Sequence, residues 1–171
     1  MRKNLTLTGM MGVGKTTIGK ILAKRLGYKF IDVDKLIEKK EGLAINLIFK
    51  NKGEDYFREI EYEITLLELK KNNSVISLGG GAFLNKEIRK STKKFCVSFW
   101  LDVPIEKLIK RLKKSQKRPL LFKKKIDDTV KKIYLDRKKI YNMTDYKINC
   151  GSLKSGEIVS KILNFYEKSG N

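Results

Sequence analysis

Histidine is missing from all 171 residues of the chain. Its absence excludes Ser-His-Asp and Cys-His nucleophile activation, imidazole acid–base work and His-ligated zinc. Any general base must be a carboxylate or a lysine. Cysteine is scarce as well: Cys96 and Cys150 lie far apart and form no metal or redox spacing, which points to a reducing cytosol. Proline is limited to Pro104 and Pro119, and no repeat or Gly/Ser stretch divides the chain, so one domain over 1–171 is expected. Long apolar runs are lacking too. The longest, Phe95–Leu101, contains Ser98 and ends at Asp102, far short of the roughly 18 residues of a membrane span. The Met1-Arg2-Lys3 start resembles a signal-peptide head, but the apolar stretch after it breaks into Gly and Lys within a few residues. A cytoplasmic protein is expected.

What the chain does have is enough apolar material for a core, 41% of residues, and a large excess of cations. Against 39 Lys and Arg stand 19 Asp and Glu, a net charge of +20. Such a balance suits nucleic acid or an anionic membrane. The lysines, however, are scattered along the whole chain and no aromatic-rich binding motif accompanies them. Neither nucleic acid nor membrane is therefore expected as a partner; a monomer is expected.

Short apolar runs alternate with longer amphipathic segments, the pattern of a β-α-β protein with a parallel sheet. Strands are expected near Leu5–Thr8, Lys29–Asp32, Val75–Leu78, Phe95–Leu101 and Tyr146–Asn149. Helices are expected near Lys15–Leu26, Asp34–Glu41, Glu54–Lys70, Ile105–Lys113, Lys125–Lys138 and Ser155–Lys168. In Glu54–Lys70, Phe57, Ile60, Ile64 and Leu67 recur at helical spacing and should share one face. The basic interval Ser115–Lys125, with Pro119, reads as an exposed loop, either a lid or a passive connection.

Gly9-Met10-Met11-Gly12-Val13-Gly14-Lys15-Thr16 satisfies G-x-x-x-x-G-K-[ST], between a strand-like Leu5–Thr8 and a helix with Ile18, Ile21, Leu22 and Leu26 on one face. Glycines there let successive backbone N–H groups turn inward around phosphate oxygens, and the helix N-terminus adds partial positive charge. Lys15 can reach the outer phosphates and the Thr16 hydroxyl can ligate Mg²⁺. A nucleoside triphosphate is the expected ligand.

Asp32 and Asp34 end the second strand, where alternate residues of an extended chain share a face at the carboxyl edge. One could serve a metal and the other a substrate hydroxyl; equally, Asp34 could be a helix N-cap and Asp32 a turn former. Arg58 has Glu54 and Glu61 within one helical turn, so a surface ion pair is its plainest role. Gly79-Gly80-Gly81 follows a strand directly, a costly choice for a plain turn that is better explained by backbone N–H groups approaching a ligand. Arg118 and Arg137 stand out among the lysines because the guanidinium fork matches carboxylate or phosphate; equally, each taken singly could be a solvated charge.

Together these residues resemble the shikimate kinase family. The pattern is G-x-x-G-x-G-K-T-T at Gly9–Thr17, D-x-D at Asp32–Asp34, F-R-x-x-E at Phe57–Glu61, G-G-G-A at Gly79–Ala82, R-P-L-L at Arg118–Leu121 and R-x-x-x-Y at Arg137–Tyr141. The resemblance implies an α/β, three-layer P-loop kinase fold, with a five-stranded parallel sheet in the order 2-3-1-4-5 flanked by helices. It also implies a mobile lid at about 113–125 and a substrate-binding helical region at about 33–61. The implied reaction is ATP-dependent phosphorylation of the 3-hydroxyl of shikimate, in aromatic amino-acid biosynthesis, with Mg²⁺. Lys15, Asp34 and Arg118 would be catalytic. Gly12, Val13, Gly14, Lys15, Thr16, Thr17, Arg111 and Arg118 would bind ATP, with Arg111 packed on adenine. Asp34, Arg58, Gly79, Gly80, Gly81 and Arg137 would bind shikimate. Thr16 would ligate Mg²⁺ directly, and Asp32 and Ser77 through water. Gly151-Ser152-Leu153-Lys154, placed to frame the adenine, lacks the arginine or proline often found there.

Overall fold

A computed structural model describes residues 3–114 and 126–169. Its centre is a parallel sheet of β1 (Asn4–Thr8), β2 (Lys29–Asp32), β3 (Ser74–Ser77), β4 (Cys96–Asp102) and β5 (Tyr146–Asn149), in the order β2-β3-β1-β4-β5. The central strands are buried on both faces: Leu5, Leu7, Val75, Ile76, Phe99 and Leu101 are fully buried, and small polar residues beside them, Thr6, Thr8, Ser74, Ser77 and Ser98, are buried as well. Cys96 and Trp100 also serve packing.

Parallel neighbours need crossover connections, and right-handed crossovers put helices on a face set by the direction of travel. From β1 the chain moves outward to β2 through α1 (Lys15–Leu26). It then returns through α2 (Val33–Glu41) and α3 (Ile45–Leu69) to β3, and continues the same way through α4 (Lys86–Phe95) to β4. Finally α5 (Ile105–Lys114) and α6 (Ile126–Tyr141) lead to β5, and α7 (Ser155–Lys168) closes the chain. Reversal at β2 sends α3 and α4 to the face opposite α1, and α7 packs beside α1. The order and the three layers agree with expectation, and β1, lodged between β3 and β4, delivers its carboxyl end to the middle of the molecule.

Several boundaries differ from the periodicity. α3 begins at Ile45 rather than Glu54, because Gly53, which looks like a breaker, is only a bend (φ 87°, ψ 172°) between two helical stretches. Lys52 spans that bend, 2.7 Å from Glu41 and donating to the Tyr56 hydroxyl at 3.0 Å. Phe57, Ile60 and Ile64 are buried as expected, but Leu67 is 64% exposed. The buried face instead runs through Glu61, Thr65, Glu68 and Leu69. Helix α4 was not foreshadowed by apolar spacing: only Ile88 and Thr92 are buried in it, while Asn85 caps it by accepting from the N–H groups of Glu87 and Ile88. No helix among the described residues is long and apolar enough to cross a membrane.

Candidate active site

Between Thr8 and Lys15 the chain makes a turn that only glycine accommodates at three points. Gly9, Gly12 and Gly14 have φ of 135°, 78° and 103°, and a Cβ on Gly9 would sit 2.7 Å from the Leu101 carbonyl oxygen. Lys15 folds back over this loop, its Nζ donating to the carbonyls of Gly9 at 2.9 Å and Met10 at 3.1 Å. The ammonium therefore lies along the mouth of the loop, beside the N-terminal end of α1, whose first turn carries no acidic residue. Those two features together make an anion cradle. Val13 is buried beneath it, Thr17 lies exposed on α1, and Arg111 on α5 reaches the Val13 carbonyl through Nη1 at 3.4 Å.

The two aspartates do not share a strand face. β2 stops at Asp32 and Asp34 falls in the first turn of α2, so the backbone changes direction between them. This corrects the extended-chain reading. Asp32 occupies the N-cap position of α2 yet makes no capping bond; its Oδ2 accepts from Thr16 Oγ1 at 2.8 Å. Ser77 lies opposite Asp32 in the β2–β3 register. Thr16, Asp32 and Ser77 thus bring hard oxygens to the cradle. Among the described residues no group of three or more acidic, Cys or His side chains could hold a metal unaided. That donor set fits Mg²⁺, which keeps water and phosphate ligands and takes few protein ones.

Asp34 belongs with a second cluster on the far side of the loop. The triplet Gly79–Gly81 emerges from β3 between α3 and α6, and it is glycine because side chains crowd it. A Cβ on Gly79 would run into Glu61 Oε1 and lie 2.9 Å from Asp34 Oδ1; one on Gly81 would run into the Arg58 guanidinium. Arg58 holds Glu61 Oε2 at 2.6 Å and Glu54 Oε1 at 3.1 Å, so its ion pairs are real but one of them is inside the site. Arg137 donates from Nη1 to the Gly80 carbonyl at 2.9 Å, and the Tyr141 hydroxyl donates to the same oxygen. Asp34, Arg58, Gly79–Gly81 and Arg137 are therefore one cluster, and the triplet borders the phosphate loop: a Cβ on Gly80 would lie 3.6 Å from Met11 N and 3.7 Å from Gly9 O.

Sequence reasoning gave no role to Glu61 and Tyr141, although both stand in quoted motifs. The available signal for Glu61 was its buried phase on α3, one turn from Phe57 and Ile64. Arg118 lies outside the described residues, as does the expected lid apart from Lys113 and Lys114 at the end of α5.

Glu61 is almost fully buried, and burial pushes its carboxyl above the ordinary 4.5; Arg58 opposes this, Asp34 adds to it, and Arg137 opposes it. A raised folded value means that the group's contribution to folding is complete below the unfolded value and is lost as the pH rises through the folded one. Glu61→Gln cannot titrate. The melting temperature of the parent minus that of Glu61→Gln is therefore expected to shrink as pH rises from about 4 to about 7. A difference that widens over this range would mean that the Arg58 pairing outweighs burial.

The model of the family described as shikimate kinase matches residues 11–167 of this chain. A shikimate kinase of Sulfurihydrogenibium sp. is 42% identical over 161 residues, 94% of this chain and 96% of that relative. The solved shikimate kinase of Acinetobacter baumannii, a complex with shikimate, superposes with a TM-score of 0.92 at 30% identity, covering 98% of this chain and 94% of that one. A gluconokinase of Sinorhizobium meliloti, 17% identical with a TM-score of 0.64 over 98% of this chain and 93% of its own, shares the fold alone.

Proposed function

The chain belongs to the shikimate kinase family, and on that premise we propose how its cleft transfers the γ-phosphoryl group of ATP to the 3-hydroxyl of shikimate. The reaction is a step of aromatic amino-acid biosynthesis. The observation that carries the residue assignment is the convergence of two guanidiniums, Arg58 and Arg137, and the carboxylate of Asp34 on the glycine triplet, next to the phosphate loop. That is the complement of a small hydroxylated carboxylate.

Phosphoryl transfer passes through a loose transition state, so positioning and charge neutralisation do most of the work. The loop from Gly12 to Thr17 holds the phosphates, and Lys15 sets positive charge beside the transferring group. Arg118 adds a second charge there, from the basic segment at about 113–125 that we take as the lid. Thr16 would ligate Mg²⁺, with Asp32 and Ser77 holding its waters; bound there, the ion neutralises phosphate charge. Arg58, Arg137 and the backbone of Gly79–Gly81 bind the acceptor carboxylate. Asp34 then orients the acceptor hydroxyl and takes its proton late, the role that a chain without histidine leaves to a carboxylate. Residues 33–61 form the acceptor-binding region, on the β2–β3 side of the loop. We take the β4–β5 side as the one that receives the nucleoside, with Arg111, which reaches the Val13 carbonyl, packed on the base. We take the chain to act as a cytoplasmic monomer on two small molecules, with neither nucleic acid nor membrane as partner.

A coupled ADP-release assay across shikimate, gluconate, nucleosides and single-stranded DNA tests this. ADP release dependent on shikimate alone is the expected result. Faster release with gluconate would reassign the acceptor, and DNA-stimulated release with tight DNA binding at physiological salt would give the +20 charge a different purpose.

A further inference from the structure

Tyr141 is the last residue of α6, wholly buried, and its hydroxyl lies where no packing argument requires one. The ring stacks obliquely on Trp100, centroids 5.8 Å apart, and the hydroxyl is 4.0 Å from Met10 Sδ in the phosphate loop. A phenylalanine would fill that space equally well. The hydroxyl instead donates to the Gly80 carbonyl oxygen, which also accepts from Arg137 Nη1 at 2.9 Å. Two donors engage both lone pairs of one carbonyl.

We propose that Tyr141 is a positioning residue for the acceptor, pinning the Gly80–Gly81 peptide in the one orientation that binds the acceptor carboxylate. The inference rests on the shikimate kinase reading above. A trans peptide is planar, so its N–H points opposite to its carbonyl. With the Gly80 carbonyl directed at α6, the Gly81 N–H is directed away from α6, and Gly81 is the residue that abuts the Arg58 guanidinium. Three successive glycines have the widest backbone freedom of any tripeptide. Unpinned, this peptide can rotate and turn a carbonyl, rather than an N–H, toward a bound anion.

Arg137 alone is a poor pin. It is partly exposed and is itself assigned to the acceptor carboxylate, so substrate binding competes for its donors. Tyr141 has no such second duty. Burial pushes its phenol above the ordinary range, with Arg137 opposing, so it remains a hydroxyl donor through neutral and mildly alkaline pH.

Tyr141→Phe removes the hydroxyl and keeps the ring. In the ADP-release assay it is expected to raise the shikimate KM about three- to tenfold, the scale of one neutral hydrogen bond, while the ATP KM changes less than about twofold. Trp100→Phe is the packing control: it loosens the same pocket without touching the hydroxyl, and should lower the melting temperature with the shikimate KM unchanged. An unchanged shikimate KM in Tyr141→Phe, whatever its melting temperature, reduces Tyr141 to packing and overturns the proposal. An equal rise in both KM values also overturns it, by moving the effect to the phosphate loop through Met10. If the parent protein releases no ADP with shikimate, the functional reading itself fails, a result visible before any variant is made.

Discussion

Asp34→Asn should fold, bind ATP normally and lose at least about two orders of magnitude in kcat, the usual scale of a general base. Asparagine keeps the shape of the side chain and can still hydrogen-bond, but it carries no charge and accepts no proton. The position makes the charge matter. Asp34 lies in the first turn of α2, where the helix end favours a negative side chain, and its Oδ1 stands over Gly79 on the acceptor side of the phosphate loop. Histidine is absent, and Glu61, the other carboxylate there, is bound to Arg58. Asp32→Asn should behave differently. Its carboxylate accepts from Thr16, so the loss should appear as a raised Mg²⁺ requirement rather than a uniformly low kcat. Rates with shikimate at several Mg²⁺ concentrations separate the two. If added Mg²⁺ rescues Asp34→Asn and not Asp32→Asn, the assignments are reversed.

The contrast between these aspartates also marks where sequence reasoning stops. The phosphate loop and the strands were legible because each is written in contiguous residues: Leu5–Thr8 runs straight into Gly9, and the glycine spacing carries its own geometry. The same locality misled at Asp32 and Asp34, where alternate positions imply a shared face only while the strand continues, and β2 ends between them. Helix α4 was hidden for a different reason. Six of its ten residues are Lys, Arg or Glu, so its periodic signal rests on Ile88 and Thr92, and threonine does not count as apolar. The acceptor cluster needed contacts across the chain. Gly80 meets Arg137 over 57 residues and Tyr141 over 61, and these meetings follow from strand order, not from spacing. Residue types marked Arg137 and the triplet, and motif resemblance gave them roles, but neither could say that a tyrosine shares the Gly80 carbonyl.

Arg137→Ala should raise the apparent KM for shikimate roughly ten- to hundredfold, corresponding to about 1.5–3 kcal/mol for a charge-assisted hydrogen bond, and leave the ATP KM nearly unchanged. The direction follows from its anchor. Arg137 hangs from α6 onto the Gly80 carbonyl, on the acceptor side of the loop, while Lys15 and the N-terminus of α1 serve the phosphates. Arg137→Lys should recover only part of the loss, because an ammonium cannot hold a carbonyl and two carboxylate oxygens with one planar fork. Arg58→Ala is the instructive comparison. It removes a carboxylate ligand and also strips buried Glu61 of its ion pair, leaving a carboxylate in a site where burial already disfavours its charge. The Arg58 variant should therefore lose melting temperature together with shikimate affinity, and Arg137→Ala should lose affinity with little change in melting. Initial-rate kinetics with thermal melts on both proteins distinguish the cases. An equal loss of ATP affinity in Arg137→Ala would place this guanidinium on the nucleotide, and the acceptor carboxylate would then rest on Arg58 and the glycine backbone alone.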